Sequence, residues 1–223
     1  MSLLVKICGL KTLDALDVAL DAGADMVGFV FFAPSPRHIE VATARELGRR
    51  VGGRARKVAL TVDAEDDTLA QIVKSLQPDL LQVHGKETPA RVRAIKARFG
   101  LPVMKAIAVE TRSDLKTIAA YDGSADWLLF DARAPREATR PGGLGKPFDW
   151  HLLENLQSDI PFMLSGGLDP ANVAAALRIA RAPAVDVSSG VERAPGEKDL
   201  DKIRAFIRAA RAALSPATAM SRA

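Results

Sequence analysis

The sequence carries one cysteine and three histidines, so the side chains able to exchange protons near neutral pH are few and easy to place. Cys8 closes the run Leu3–Ile7, His84 closes Leu80–Val83, Asp131 closes Trp127–Phe130, and Asp186 stands within Val185–Val187 ahead of Ser188 and Ser189. Thiol, imidazole and carboxyl groups are the usual carriers of general acid and base chemistry. Arg37 lies in the long segment Ala33-Pro34-Ser35-Pro36-Arg37-His38. Three glycine-rich turns follow later apolar runs: Gly142-Gly143-Leu144-Gly145, Ser165-Gly166-Gly167 and Ser188-Ser189-Gly190. Glycine lets the backbone approach a ligand closely, and free N–H groups ahead of a helix suit a phosphate dianion. A tight turn alone is the plainer explanation of any one of these glycine pairs, and a lone buried cysteine is ordinarily a small hydrophobe.

These residues need a frame, and the chain supplies a repeating one. Eight short apolar runs, Leu3–Ile7, Met26–Phe31, Lys57–Val62, Leu80–Val83, Val103–Ile107, Trp127–Phe130, Phe162–Leu164 and Val185–Val187, do not alternate with polar residues. That pattern fits strands buried on both faces. Helical stripes separate them: Leu13, Leu16 and Leu20 opposite Asp14, Asp17 and Asp21; Leu69, Ile72, Val73 and Leu76; and Ile203, Phe206, Ile207 and Ala210, with Arg204, Arg208 and Arg211 facing water. Thr88-Pro89 and Asp169-Pro170 read as N-caps followed by proline at the first helical position. Gly23 and Gly100 stand where helix C-termini want a left-handed residue. Eight strand–helix repeats predict an α/β protein, a single (β/α)8 TIM barrel over residues 1–214 with a frayed tail at 215–223. An open doubly wound sheet would carry a glycine fingerprint after its first strand, where this chain has only Cys8-Gly9-Leu10-Lys11. In such a barrel the strand C-termini form the active face, and the turns after strands 7 and 8 are the customary phosphate site.

Composition removes several classes of function. Of 223 residues 48% are hydrophobic and 26% charged, as in an ordinary globule with a sizeable core. The net charge is +4, but five basic and two acidic side chains fall within residues 199–223, leaving the body near neutral and giving no argument for nucleic acid. Arg133, Arg136, Arg140 and Lys146 form a basic stretch without interleaved aromatic residues; a solvated loop or a lid over an anionic substrate suits it better than base stacking. No apolar run reaches the roughly 18 residues of a membrane span. The start of the chain lacks the features of a secretory signal, so the expected location is the cytoplasm. No cysteine–histidine cluster has zinc spacing, and no metal or other cofactor is expected.

Together the motifs resemble the phosphoribosylanthranilate isomerase family. The resemblance runs through Val5-Lys6-Ile7-Cys8-Gly9, Gly28-Phe29-Val30-Phe31 leading to Ser35-Pro36-Arg37, Leu81-Gln82-Val83-His84-Gly85, Gly142-Gly143-Leu144-Gly145 with Phe148-Asp149-Trp150, Leu164-Ser165-Gly166-Gly167-Leu168, and Val185-Asp186-Val187-Ser188-Ser189-Gly190-Val191-Glu192. It covers residues 5 to 210 in register. The chain departs from the family at Leu144 and Pro147 and in a longer basic segment, Arg133–Arg140. The resemblance implies a (β/α)8 barrel and the third step of tryptophan biosynthesis, the Amadori rearrangement of N-(5-phosphoribosyl)anthranilate. It implies Cys8 as general base and Asp131 as general acid, Arg37 as partner of the anthranilate carboxylate, and His84 and Asp186 lining the substrate site. Gly166, Gly167, Ser188, Ser189 and Gly190 hold the phosphate in that scheme, and the working unit is a monomer. Another phosphosugar barrel enzyme and a non-catalytic phosphate-binding barrel are the alternatives. A free cysteine of pKa ~8.5 is only about 3% thiolate at pH 7, and a free aspartic acid of pKa ~3.9 is protonated roughly once in a thousand molecules. The site must therefore favour both minority forms. The expected devices are a helix N-terminus opening near Lys11 for the thiolate and apolar surroundings for the acid.

Overall fold

A computed structural model describes residues 3–135, 137–145 and 147–213; the expected tail 215–223, Arg136 and Lys146 lie outside them. Eight parallel strands close on themselves in sequence order. They are β1 (Leu4–Cys8), β2 (Met26–Phe31), β3 (Arg56–Thr61), β4 (Leu80–Val83), β5 (Val103–Val109), β6 (Trp127–Ala132), β7 (Phe162–Leu164) and β8 (Ala184–Val187). Alternate residues point to opposite sides of the wall. Met26, Val58, Leu80, Met104, Leu129, Met163 and Ala184 fill the lower interior as one apolar cluster. Val5, Ile7, Val27, Phe29 and Val185 belong instead to the larger cluster between barrel and helices. Burial on both faces is why the strands read as unbroken apolar runs.

Helices α1 (Leu13–Asp21), α2 (Val41–Val51), α3 (Asp66–Leu76), α4 (Pro89–Phe99), α5 (Val173–Ala180) and α6 (Leu200–Ala212) cover the outside. Thr88 caps α4, accepting from the Arg91 N–H at 3.2 Å with Pro89 next in line. Gly100 ends that helix in the left-handed region. In α6 Ile203, Phe206, Ile207 and Ala210 are buried, and each of the larger three contributes about 1.5–3 kcal/mol by leaving water. Packing of α6 on α1 and α5 closes the outer ring.

Four expectations are corrected. The fifth and sixth repeats carry short 3₁₀ helices, Asp114–Tyr121 and Trp150–Leu153, in place of α-helices. Asp114 gathers the N–H groups of Glu110 and Thr111, and Thr117 Oγ1 donates to the Asp114 carbonyl, a local bonding pattern that competes with an α-helix. The segment after β6 holds Pro135, Pro141 and Pro147 among its glycines, which removes donors that a helix needs. Asp169 does not cap α5: its Oδ1 accepts from Ala171 and Asn172 N–H in a preceding turn, and the helix starts at Val173. Leu13 is exposed, and the buried stripe of α1 is Ala15, Leu16, Ala19 and Leu20. Arg211 turns toward the barrel's lower end, bonding the carbonyls of Leu3 and Gly23 and the carboxylate of Asp25. A small antiparallel ribbon that the sequence pattern did not announce, β9 (Glu192–Ala194) with β10 (Glu197–Lys198), follows a 3₁₀ turn at Ser189–Val191.

Candidate active site

A cleft opens at the C-terminal ends of the strands. Nine of the ten expected site residues line it: Cys8, Arg37, His84, Asp131, Gly166, Gly167, Asp186, Ser188 and Ser189. Gly190 does not line it. A Cβ there would lie 1.8 Å from the Leu168 carbonyl oxygen, so Gly190 instead lets the turns after β7 and β8 touch.

Cys8 ends β1 with its side chain inward and buried. Two positions earlier on the same wall, Lys6 is wholly buried, and its Nζ donates to Asp186 Oδ1 at 2.8 Å. Asp186 Oδ2 accepts from Ser165 Oγ at 3.2 Å. Burial drags the Lys6 ammonium down, but the charges of Asp186 and Cys8 more than reverse it, so Lys6 ends above its ordinary value. Burial pushes the Cys8 thiol up, with Lys6 and Lys198 drawing it back and Asp186 adding to the rise. The helix expected near Lys11 opens there, with Thr12 as its N-cap and Leu13 as its first residue, but burial is the largest influence on the thiol and leaves it above its ordinary value.

Asp131 sits on β6, three strands from β1 around the ring, at 6% exposure. Its Oδ1 accepts from the Ala132 N–H at 2.9 Å, and its Oδ2 lies 3.4 Å from His84 Nε2. His84 Nδ1 in turn is 3.5 Å from Gln82 Nε2. The loop after β6 closes over this group. A Cβ on Gly142 would come within 2.3 Å of Asp131 Oδ2, so only glycine allows the backbone to lie there. Arg140, two residues earlier, also lines the cleft.

Arg37 is buried, and its guanidinium fork is already taken. Nε and Nη2 donate to Glu192 Oε1 and Oε2 at 2.7 and 2.8 Å, and Nη2 also donates to the Gly143 carbonyl at 3.2 Å. Among the described residues Nη1 is the guanidinium donor left over for a ligand carboxylate. Glu192 also accepts from Lys198 Nζ at 2.9 Å and Gly196 N–H at 3.2 Å. Burial pushes its carboxyl up, but the Arg37 hydrogen bond and the Lys198 charge hold it below the usual range. Lys198 reaches the Ser188 carbonyl at 2.8 Å, directly behind the turn after β8, and its own burial lowers it. Among the described residues the N–H groups of Gly166 and Gly167 find no protein acceptor, so two donors remain open at that turn.

The site thus contains residues that the sequence reading passed over. Lys6 falls within one apolar run and Gln82 within another, although each precedes a candidate residue, Cys8 or His84, by two and therefore shares its face. Glu192 stands in the quoted motif without a role, and Lys198 gave no local signal. Among the described residues no group of three His, Cys, Asp or Glu side chains is placed to hold a metal, and no helix is long and apolar enough to cross a membrane.

Each reactive side chain in the cleft stands at or just beyond the C-terminal end of a barrel strand, where TIM-barrel enzymes carry out their reactions, and this chain is an enzyme of that class. The family model described as N-(5'phosphoribosyl)anthranilate (PRA) isomerase matches residues 5–209. An N-(5'-phosphoribosyl)anthranilate isomerase of Nitrobacter winogradskyi is 68% identical over 213 residues, spanning 96% of this chain and 95% of that protein. One from Bradyrhizobium sp. (strain ORS 278) is 67% identical over 96% and 97%. The crystal structure of phosphoribosyl anthranilate isomerase from Thermotoga maritima superposes with a TM-score of 0.85 at 36% identity, covering 94% of this chain and 99% of the other. A further solved isomerase, in complex with reduced 1-(o-carboxyphenylamino)-1-deoxyribulose 5-phosphate, gives 0.80 at 33% identity over the same shares. The chain belongs to the N-(5'-phosphoribosyl)anthranilate isomerase family and acts as that isomerase in tryptophan biosynthesis. Membership replaces both alternatives, the other phosphosugar enzyme and the inactive barrel.

Proposed function

We propose that the cleft carries out the Amadori rearrangement with Asp131 as general acid and Cys8 as general base. Asp131 gives a proton to the furanose ring oxygen; the C1–O bond breaks and the anthranilate nitrogen becomes part of a Schiff base. The Cys8 thiolate then takes the C2 proton, leaving an enolamine that tautomerises to the 1-amino-1-deoxyketose. One acid and one base suffice, without a cofactor. The observation that carries this reading is the placing of the single thiol and Asp131 on β1 and β6 of one cleft. The two therefore flank whatever occupies it.

The substrate's ends find matching surroundings. Gly166, Gly167, Ser188 and Ser189 take the phosphate, with Gly190 locking the two turns together and Lys198 adding positive charge from behind. Val30, Phe32, Leu60 and Val62 line another part of the cleft and suit the aromatic ring, while Arg37 Nη1 meets its carboxylate. His84 orients Asp131, and Asp186 lies at the sugar end. Every named residue lies within one closed barrel, so the cleft needs no residue from a second copy, and this reading takes the enzyme as a cytoplasmic monomer. Loss of substrate fluorescence, followed in Cys8→Ala and Asp131→Asn beside ligand binding, tests the assignment: binding persists while turnover collapses. Near-normal turnover in either variant removes that residue from its role.

A further inference from the structure

Beneath the proposed acid–base pair lies a buried charge that the mechanism above leaves unused. Lys6 and Cys8 occupy successive inward positions of β1. Lys6 stands in register with Asp186 of β8, so ammonium and carboxylate are built as neighbours on one inner surface. Ser165 of β7 fixes the far oxygen of Asp186. Across from Cys8 the register position on β2 is Gly28. A Cβ there would lie 2.8 Å from the Cys8 sulfur and 3.2 Å from Lys6 Cε. Sulfur and lysine stem therefore share the hollow that the missing side chain leaves.

An isolated buried ammonium is expensive, and proteins keep one where its charge is paired or used. Asp186 pairs it. The other ionisable group it faces is the only thiol of the chain. The charged groups acting on that thiol are Lys6 from β1, Asp186 from β8 and Lys198 from β10. Burial opposes the thiolate, and of the two cations that oppose burial Lys6 acts most strongly.

We infer that Lys6 is a positioning residue for the isomerisation, the fixed positive charge beside which Cys8 holds its negative charge, with Asp186 and Ser165 keeping Lys6 in place. This rests on the reading of Cys8 as general base. The proton lost by the thiol goes to solvent before the substrate's C2 proton is taken, so no further reactant is involved.

Because the chain has one cysteine, the pH dependence of alkylation by iodoacetamide titrates Cys8 alone in the full-length enzyme, independently of turnover. In Lys6→Met the midpoint moves up, by about one to three units, and turnover near neutral pH falls about tenfold or more. In Asp186→Asn it moves down, because the opposing carboxylate is gone and the ammonium is released toward sulfur. Lys6→Arg keeps the charge and recovers most of the parent midpoint. Opposite displacements are the signature, since a merely structural role for the pair moves neither midpoint or both the same way, and either result overturns the inference. Should Lys6→Met fail to fold, Asp186→Asn decides alone: a midpoint unchanged or raised overturns it. If the alkylation midpoints move as expected while the pH dependence of turnover does not follow them, the charge coupling stands, but the general-base reading of Cys8 falls and takes the role of Lys6 in turnover with it.

Discussion

Lys6–Asp186 and Lys105–Glu87 are two lysine–carboxylate pairs with nearly the same local geometry. Their N–O distances are 2.8 and 2.7 Å, and no side chain among the four is more than 7% exposed. They lie on opposite sides of the barrel wall. Lys105 points outward from β5, where it also donates to the Gly85 carbonyl at 2.7 Å. Glu87 gathers the N–H groups of Asp63 and Gly85, and Tyr121 donates its hydroxyl to the Glu87 carbonyl. That cluster ties the loops after β3 and β4 to β5, immediately behind His84, and each charge finds its partners within the protein. The interior pair is less complete. Asp186 is held by Ser165, but Lys6 retains influence over a thiol in the reaction cleft. The same pair of residue types therefore braces a loop where its bonds are all made, and serves chemistry where one is left open.

The largest effects belong to the interior of the barrel. Asp131→Asn and Cys8→Ala are each expected to lower kcat by about 10²–10⁴, the range a general acid or base supplies, with the thermal unfolding midpoint little changed. Steady-state kinetics beside calorimetry checks both halves. On the exterior side, Lys105→Met strands a buried carboxylate and is expected to cost about 3–5 kcal/mol of stability, read from denaturant unfolding, while kcat of the folded fraction holds. Adding Glu87→Gln to that variant should return part of the loss, because the amide removes the stranded charge while its oxygen can still accept from the Asp63 and Gly85 N–H groups. Were Lys105→Met to keep its stability and lose turnover, the division between brace and chemistry would be broken.

A middle case is Glu192, where one carboxylate serves both ends, bracing the β9–β10 ribbon and aiming Arg37. Glu192→Gln is expected to raise KM about tenfold, equivalent to ~1.4 kcal/mol, with a smaller change in kcat, since it frees the guanidinium to turn away from the cleft. Its pH behaviour has a definite sign. Arg37 and Lys198 hold Glu192 below the usual carboxylate range against the effect of burial. Its stabilising contribution is therefore complete above the unfolded-state value and lost as pH falls through the lower folded-state value. The glutamine variant should show a flatter loss of stability on the acid side, measured by unfolding at stepped pH.

How much of this was legible beforehand depends on the range of the interaction. The runs at Met26–Phe31, Leu80–Val83 and Phe162–Leu164 coincide with β2, β4 and β7 end to end, because burial on both faces leaves an unbroken local pattern. Cys8, His84, Asp131 and Asp186 followed from asking what stands near strand ends. Lys6 was missed because one lysine inside an apolar run looks like a lapse in the pattern, and its partner is 180 positions away. The Arg37–Glu192 contact spans 155 positions, beyond any periodicity, and so nothing near Arg37 in the sequence points to it. After β5 and β6, tertiary packing and turn-forming side chains override the expectation of two more α-helices.

The smallest effect is expected at a third ion pair, which has the same distance and none of the burial. Arg50 meets Asp17 with two hydrogen bonds, Nε to Oδ1 at 2.8 Å and Nη2 to Oδ2 at 2.9 Å, on the solvent side of α1 and α2. Its geometry is as good as that of either buried pair. Here, however, water competes for both charges, salt screens them, and two long side chains must be ordered to meet. Asp17 also keeps a second contact, from Arg54 at 3.4 Å. The hydrogen bond from Arg50 holds the Asp17 carboxyl below its usual range. What the pair contributes is therefore present above the unfolded-state value and fades as pH drops through the folded one. Arg50→Ala should leave kcat and KM at parent values and lower the melting temperature only slightly, at low ionic strength and above the acid range, with no difference in high salt. Melting curves at two salt concentrations read this directly. A fall comparable to that of Lys105→Met would mean that distance alone governs what an ion pair is worth in this protein. In that event the contrast between the inner and outer lysines could not be assigned to which partners each one lacks.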